Sequence, residues 1–142
     1  MIYENVNNGV YKTGFATSQK SYTESFMKLF ECLEELEQRL SITRFLLGDK
    51  ITEADWRLFT TLVRFDAVYV GHFKCNKKRL CDYPNLWSYT RELYQQPGVS
   101  ETVDLEHIKQ HYYGSHKMVN PYGIIPSGPF INFHDAHNRQ PS

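Results

Sequence analysis

Residues 47–56 read LGDKITEADW, a stretch that predicts the start of a buried helix. Thr52 is placed as the N-cap, where its hydroxyl can accept a hydrogen bond from the free backbone N–H three residues on. Asp55 stands at the N3 position and can reach back to the N–H of Thr52, which completes a capping box. Ile51 before the cap and Trp56 after it are placed to form a hydrophobic staple.

The helix that begins here is expected to run to about Phe73. Its apolar residues cover most of its circumference and are Ala54, Leu58, Phe59, Leu62, Val63, Phe65 and Tyr69. A helix that is apolar on most sides is usually central and buried. We therefore expect this helix to form the centre of a helical domain.

A second, amphipathic helix is predicted upstream, over about 18–40, with Thr17 or Ser18 as its N-cap. Its apolar residues recur at steps of four and three and are Tyr22, Phe26, Leu29, Leu33, Leu36 and Leu40. The spacing fits a helix packed in a bundle as well as a short coiled coil, and three heptads favour the bundle. Residues 1–16 contain the turn-favouring Asn7-Asn8-Gly9 and are expected to form a turn and loop.

Two shorter helices are predicted downstream of the central one. Asp82 is the candidate cap of the first, with Pro84 in its first turn and Pro97-Gly98 at its end. Asp104 starts the second. The segment 114–142 is rich in Pro, Gly, Asn and His, and it is expected to be an extended tail with its last ten or so residues disordered. The sequence thus predicts an all-α helical bundle with an extended C-terminal tail.

Length and composition exclude several classes of function. The 142 residues suit one domain, and the formal net charge of zero offers no basic stripe for nucleic acid. No apolar run approaches the roughly 20 residues that span a membrane. The first residues lack the pattern of a signal peptide. Three cysteines fit reduced thiols in the cytoplasm better than a disulfide framework.

A zinc site at His72, Cys75 and Cys81 was the one metal arrangement that the sequence suggested. Structural zinc needs four ligands, usually with two to four residues between paired cysteines. Here five residues separate Cys75 from Cys81, and no fourth ligand is obvious. The sequence therefore predicts no metal.

Several segments together resemble the glutathionyl-hydroquinone reductases, the xi class of glutathione transferases. They are LGDKITEAD at 47–55, NNGVYKTGFA at 7–16, VRFDAVY at 63–69 with FKC at 73–75, and HIKQHYY at 107–113 with SHK at 115–117 and NP at 120–121. The resemblance extends over about residues 3–129. It implies that residues 17–113 form a domain like the C-terminal domain of glutathione transferases, and that residues 1–16 form an inter-domain connection.

The resemblance also implies a partner domain. The family joins this helical domain to an N-terminal thioredoxin-like domain, which provides most of the glutathione site and holds a nucleophilic cysteine in a Cys-Pro-Trp type motif. This sequence has neither that motif nor a βαβ pattern. The chain is therefore expected to be the hydroquinone-binding part of a glutathione-dependent reductase, inactive alone, with a small quinone-type substrate and a homodimeric partner copy.

Three tyrosines carry roles by resemblance. Tyr11 is expected to be the proton donor or acceptor, and Tyr69 and Tyr112 to point at the cysteine of the other domain and lower its pKa. Each also has a plainer interpretation: Tyr69 as a core aromatic, Tyr112 beside Tyr113 as an anchor of the tail, and Tyr11 as an exposed side chain. The alternative function is a non-catalytic helical protein-interaction module derived from a glutathione transferase.

Overall fold

The structure is a computed structural model that describes residues 1–139. These residues form five α-helices, and their only β-type pairing is an isolated bridge between Phe45 and Gly48. The helices are α1 (Asn8–Gly14), α2 (Gln19–Leu40), α3 (Glu53–Arg64), α4 (Pro84–Tyr94) and α5 (Leu105–Ser115). π-helical turns at Tyr3–Asn7 and Phe65–Tyr69 adjoin α1 and α3, and single 3-10 turns lie at Leu80–Asp82 and Ser100–Thr102. The predicted all-α class is confirmed.

Helix α2 supplies one wall of the core. Ser18 is its N-cap, and its hydroxyl oxygen accepts a hydrogen bond from the N–H of Ser21 at 3.1 Å. The predicted apolar stripe faces inward, and its buried members with their neighbours are Leu29, Phe30, Cys32, Leu33, Leu36 and Leu40. This face packs against α1 and α4. The helix is therefore a member of the bundle, as its spacing favoured.

The start of α3 is held by Asp55, which is fully buried. Its carboxylate accepts hydrogen bonds from the N–H of Thr52 at 2.9 Å and the N–H of Leu46 at 3.0 Å. The hydroxyl of Tyr89 in α4 donates a third bond at 2.7 Å. A buried carboxylate is tolerated only when such donors replace water. Asp55 therefore joins the capping box to α4 across the core.

Two further residues at this helix start are half-buried. Ile51 and Trp56, which flank the capping box, both pack against the core. They therefore attach the first turn of α3 to the apolar core.

The end of α3 differs from the prediction of a helix to about Phe73. The α-helical pattern stops at Arg64, and Phe65–Tyr69 forms a π-helical turn in which the N–H of Val70 donates to the carbonyl of Phe65 at 3.1 Å. The apolar pattern runs through this point without a break, so no local signal in the sequence predicts the π-helical turn. Contacts made outside the helix hold the turn: the buried Asp66 carboxylate accepts from the N–H groups of Leu80 and Cys81.

The expectation of a turn and loop over residues 1–16 was wrong, because most of this segment is helical. Val6 and Val10 are fully buried in the core. Gly9 lies where α1 packs on α2, and a Cβ added there would make an ordinary contact, 3.9 Å from the Cβ of Leu29. The side chain of Asn7 donates to the carbonyl of Arg57 and the hydroxyl of Thr61. Tertiary packing therefore overrides the turn preference of Asn-Gly.

The predicted cap of α4 is also corrected. Tyr83 is the N-cap residue, and the Asp82 carboxylate instead accepts hydrogen bonds from the backbone and side chain of Arg79. Pro84 is the first helical residue, where its missing N–H costs nothing. Asp104 caps α5 as expected, accepting from the N–H of His107 at 3.1 Å.

Residues 116–139 run as an extended tail over the body of the domain. Phe133 is only 3% exposed, and its ring lies 5.3 Å from that of Trp87 and 5.2 Å from that of Tyr94. Arg139 donates to the buried Glu92 carboxylate at 3.0 Å. These contacts differ from the disorder expected of the last ten or so residues, and the final part of that expectation, 140–142, lies outside the described residues.

No helix within residues 1–139 is both long enough and apolar enough to cross a membrane.

Candidate functional site

Three tyrosine hydroxyls meet at one point of the bundle. The hydroxyl of Tyr112 lies 2.6 Å from that of Tyr11 and 3.0 Å from that of Tyr69. The ring centroids are 5.6 Å apart for Tyr69 and Tyr112, and 6.0 Å apart for Tyr11 and Tyr69. The structure thus brings together the three residues singled out from the sequence, and Tyr112 is the central member of the chain of hydroxyls.

Each phenol comes from a different element. Tyr11 stands on α1, in place of the loop expected there, and Tyr112 stands near the end of α5. Tyr69 is the last residue of the π-helical turn after α3. One added residue in a helix rotates every later side chain by about 100°. The turn therefore determines the direction in which Tyr69 points.

Phe73 locks the three rings in place. Its ring is fully buried, stacks on Tyr69 at 5.5 Å, and meets the edges of Tyr11 at 5.5 Å and Tyr112 at 6.1 Å. Aromatic pairs at these separations prefer particular ring orientations and stabilise the fold beyond the effect of the area that they bury. Gly14 leaves the space that this ring fills, because a Cβ there would overlap the Phe73 side chain.

The three phenols differ in burial, and burial raises the pKa of two of them. Tyr69 and Tyr112 are 2% and 8% exposed, whereas Tyr11 is 37% exposed. Burial is the main cause that raises the pKa of Tyr69, and the hydrogen bond with Tyr112 adds to it. Burial likewise raises the pKa of Tyr112. Both phenols therefore keep their protons throughout the neutral range, and both remain hydrogen-bond donors.

The number of protons on the three linked hydroxyls limits how many hydrogen bonds they can donate to other groups. Three phenols carry three protons, and the two bonds between them use two of these as donors. One proton is left to donate outward. When Tyr69 donates to Tyr112 and Tyr112 donates to Tyr11, the outward donor is Tyr11, the phenol with the greatest exposure. Polarisation along such a chain strengthens its terminal donor.

The hydroxyls line an open cleft of about 580 Å³. Its other lining residues come from three separate stretches of the chain and are Tyr3, Asn7, Asn8, Thr60, Thr61, Arg64, His107, Ile108 and His111. None of these residues was predicted from the sequence to belong to a site. No short spacing links them, so only the fold could reveal Arg64 and the two histidines as neighbours of the phenols.

The chain's own thiols are poorly suited to nucleophilic chemistry. Burial raises the pKa of Cys32, of Cys75 and of Cys81. A nucleophilic cysteine needs a lowered pKa and access to its substrate. The cleft therefore presents phenols but no activated thiolate of its own.

A histidine pair adjoins the phenols. Nε2 of His72 lies 3.0 Å from Nδ1 of His116, and the two rings stack with centroids 5.2 Å apart. Burial is the main cause that lowers the pKa of His72 to about 4, and the neighbouring His116 adds to it. His72 was also one member of the zinc arrangement weighed from sequence. In the part of the chain that the structure describes, no group of three or more His, Cys, Asp or Glu side chains is placed to hold a metal ion.

Comparison with known proteins identifies the relatives of this fold. The family model described as Glutathione S-transferase, C-terminal domain, matches residues 19–92. The glutathionyl-hydroquinone reductase YqjG of Escherichia coli K12 is 56% identical over 138 residues, which is 97% of this chain and 42% of that protein. The chain therefore spans about two fifths of the length of this relative.

Solved structures agree with the sequence match. A glutathione-bound structure of YqjG, a glutathione transferase homologue from E. coli K-12, superposes with a TM-score of 0.95 at 56% identity, covering 97% of this chain and 45% of that one. A xi-class glutathione transferase from Natrialba magadii superposes with a TM-score of 0.95 at 49% identity, covering 96% of this chain and 42% of that one. The resemblance drawn from the sequence motifs is confirmed.

Proposed function

We propose that this chain, which belongs to the glutathione S-transferase C-terminal domain family and is homologous to the xi-class glutathionyl-hydroquinone reductases, is the substrate-side, hydroquinone-binding domain of such a reductase. The observation that carries the proposal is the hydrogen-bonded set of Tyr11, Tyr69 and Tyr112 in an open cleft. Phenols are suited to deliver a proton to a ring and to stabilise a thiolate.

The proposed reaction removes glutathione from a glutathionyl-hydroquinone. A cysteine thiolate from a thioredoxin-like domain attacks the glutathionyl sulfur, the bond between that sulfur and the ring carbon breaks, and a disulfide forms between cysteine and glutathione. The electron pair of the broken bond goes to the ring carbon, which then needs a proton. A second glutathione attacks the mixed disulfide and leaves as glutathione disulfide, restoring the thiol.

Tyr11 is the proposed proton donor to the ring carbon. It is the most exposed of the three phenols, and in one orientation of the chain of hydroxyls it holds the outward proton. After donating, its oxygen can accept the proton of Tyr112 within the existing 2.6 Å bond. Tyr11 therefore serves as donor or acceptor according to the direction of that bond.

Tyr69 and Tyr112 are the proposed partners of the thiolate. Their raised pKa values keep them protonated, so they can donate a hydrogen bond to a neighbouring sulfur and favour its charged form. Only one proton of the three points outward at a time, so the network serves the thiolate and the ring carbon in turn. A reversal of the hydroxyl directions links the two steps.

The proposal also covers partners and location. The thioredoxin-like domain would provide most of the glutathione site, and a second copy of the chain would complete a homodimer. The substrate is a small aromatic molecule of the quinone type. The three cysteines are free thiols, in keeping with a reducing compartment such as the cytoplasm.

A chimeric enzyme tests the proposal. The part of E. coli YqjG that this chain does not match is joined to residues 1–142, and reduction of a glutathionyl-hydroquinone is followed by release of the hydroquinone. We expect activity, and we expect Tyr11→Phe to lower the rate of ring protonation by about 10²- to 10⁴-fold, the usual contribution of a general acid. Tyr122→Phe, at a position 89% exposed in the tail, is the matched control and should not change the rate.

Two results would contradict the proposal. A chimera with the full rate after Tyr11→Phe would remove the acid role. A thiol pKa that is the same in the chimera and in its Tyr69→Phe and Tyr112→Phe variants would remove the thiolate role.

One observation favours the alternative of a non-catalytic interaction module. The tail exposes several large apolar side chains: Met118, Tyr122, Ile124 and Phe130. Exposed apolar surface of this kind often marks a protein contact. A folded chimera with no measurable turnover, together with capture of a partner chain by the tail, would favour this second function.

A further inference from the structure

A second cavity, of about 700 Å³, lies between the tail and the body of the domain. Its walls include Val70 and Tyr113 from the body, Trp87 and Arg91 from α4, and Phe130 and Ile131 from the tail. It shares no lining residue with the tyrosine cleft. The cavity is therefore a separate space whose outer wall is the extended tail.

Arg91 lines this cavity and has few polar partners. Its side chain is 19% exposed, and its Nε is buried with no hydrogen-bond partner. Its contact with Asp135 is a loose ion pair of 3.5 Å to a carboxylate that is 62% exposed. The guanidinium also lies over the ring of Trp87 at 5.0 Å. The buried Nε is out of a ligand's reach, but the 3.5 Å contact with Asp135 is long for a hydrogen bond. An acceptor bound at the terminal nitrogens would therefore add hydrogen bonds that this ion pair does not supply.

The charges around the cavity select the type of anion. Arg79 also lines the cavity, but its guanidinium is already paired with Asp82. Asp66 and Asp135 contribute negative charge to the same wall. The carboxylate already near Arg91 is the exposed Asp135, and a bound monoanion can displace it into solvent. A dianion such as phosphate would be repelled more strongly by the two carboxylates. A carboxylate matches the edge of a guanidinium with two parallel hydrogen bonds.

The apolar walls select the rest of the ligand. Tyr113 from the body is buried, Ile131 from the tail is half-buried, and both line the cavity. Phe130 at the rim is 98% exposed, and a flat aromatic body in the cavity would cover part of its ring. Aromatic contacts of this kind contribute to binding beyond the area that they bury.

We propose that the cavity under the tail is a second ligand site, which binds a small aromatic monocarboxylate with its carboxylate on Arg91 and its ring between Tyr113 and the tail. The site is independent of the proposed reductase chemistry, since it uses none of the three tyrosines of the cleft. Its ligand bridges the body and the tail, so binding also holds the tail in place.

Benzoate is the probe for this site, with benzamide and inorganic phosphate as comparison ligands. The chain has two tryptophans, so Trp56→Phe leaves Trp87 beside Arg91 as the reporter of binding by fluorescence. We expect saturable binding of benzoate. Benzamide has the same shape without the charge, and phosphate has the charge without the ring, and each should bind at least about tenfold more weakly.

Calorimetry of benzoate binding to variants tests whether the ligand binds in this cavity and at Arg91. Arg91→Met keeps the apolar stem on Trp87 but removes the cation, and it should weaken benzoate about ten- to a hundredfold. Arg91→Lys keeps a charge without the planar fork and should give a smaller loss. Val70→Phe fills part of the cavity without touching Arg91 and should also abolish binding. Arg57→Met, at an exposed arginine on α3, is the control and should bind benzoate normally.

The proposal is overturned if benzoate shows no saturable binding, if benzamide binds as tightly as benzoate, or if folded Arg91→Met and Arg91→Lys both bind benzoate as tightly as the parent chain. Phosphate binding that is stronger than benzoate binding would also overturn it, because the cavity would then be an anion site without a role for its apolar walls.

Discussion

At the scale of single residues, the candidate site depends most on Tyr112. Its hydroxyl is bonded to both of the other phenols, whereas Tyr11 and Tyr69 each have this one phenol partner. Tyr69 is only 2% exposed, so water replaces a lost partner there poorly. The loss of one oxygen atom would therefore disconnect the network and leave a buried donor unsatisfied.

Tyr112→Phe tests this dependence. We expect the free energy of unfolding in urea to fall by about 1–3 kcal/mol, because the largely buried Tyr69 hydroxyl loses its hydrogen-bond partner. Tyr122→Phe removes the same atom from a side chain that is 89% exposed and should change stability by less than about 0.5 kcal/mol. Equal stabilities of the two variants would show that the network does not contribute to the fold.

His72 gives the molecule a pH dependence of definite sign. Its pKa is lowered to about 4 in the fold and returns to about 6.5 in the unfolded chain, so unfolding takes up a proton between these values. Stability that is present above pH 6.5 is therefore lost as the pH falls toward 4. From pH 7 to pH 5 we expect this residue to account for a loss of about 2 kcal/mol.

Denaturation of His72→Phe at pH 7 and pH 5 measures this contribution. The variant should lose about 2 kcal/mol less than the parent chain between the two pH values, whereas His107→Gln, at an exposed position, should match the parent. An identical pH dependence in the parent and in His72→Phe would assign the loss to other groups.

Single residues of the site were predictable only in part. The motifs around Tyr11, Tyr69 and Tyr112 identified them through family resemblance, and no spacing rule could have done so, because they stand on three separate elements. Arg64 and His111 were missed, although both line the same cleft. These residues become neighbours only when α3 and α5 pack together, and no local sequence pattern encodes that packing.

At the scale of elements, helix starts were more predictable than helix ends. A start is marked by a local side chain that accepts a backbone hydrogen bond, as at Ser18 and Asp104. The end of α3 and the helical state of residues 1–16 are determined by distant contacts, such as the bonds of Asp66 to Leu80. Local sequence patterns carry no information on such contacts.

Helix α1 can pack against the three tyrosines and Phe73 because Gly14 has no side chain. A methyl group there would overlap Phe73, the ring that packs against all three tyrosines. Gly14→Ala should therefore lower the free energy of unfolding by about 1–3 kcal/mol, as overpacking usually does. It should also change the near-ultraviolet circular dichroism of the tyrosines.

Gly114→Ala in α5 is the control for this prediction. A Cβ at Gly114 meets no atom within 4 Å, so alanine there should stabilise the helix by about 0.5–1 kcal/mol. The two glycine-to-alanine changes should thus have opposite signs. A stabilising Gly14→Ala would mean that Phe73 can move aside at little cost.

At the scale of the whole molecule, the tail is part of the folded body. Glu92 is 1% exposed and is bonded by Arg44 from one side and by Arg139 from the other. Phe133 fills the space between Trp87 and Tyr94 on α4. A buried carboxylate and an apolar surface on the body are thus both covered by residues that composition alone assigned to a disordered end.

Phe133→Ala measures what the tail contributes. The side chain is 3% exposed, so its loss should cost about 3–5 kcal/mol in the free energy of unfolding, as large-to-small core changes do. Limited proteolysis should then cut the released segment 116–139 first. Phe130→Ala, at a position 98% exposed, is the matched control and should leave both measurements unchanged.

The π-helical turn at Phe65–Tyr69 makes the cluster sensitive to residue count as well as to residue type. Deleting one residue from this turn would restore an ordinary helix and improve its backbone geometry, yet it would swing Tyr69 by about 100° away from Tyr112. Substitutions that keep Asp66 and its hydrogen bonds leave this angle unchanged, whereas insertions and deletions do not. In this turn a change in length is therefore more damaging than a substitution that keeps Asp66, even where the shorter chain would fold well.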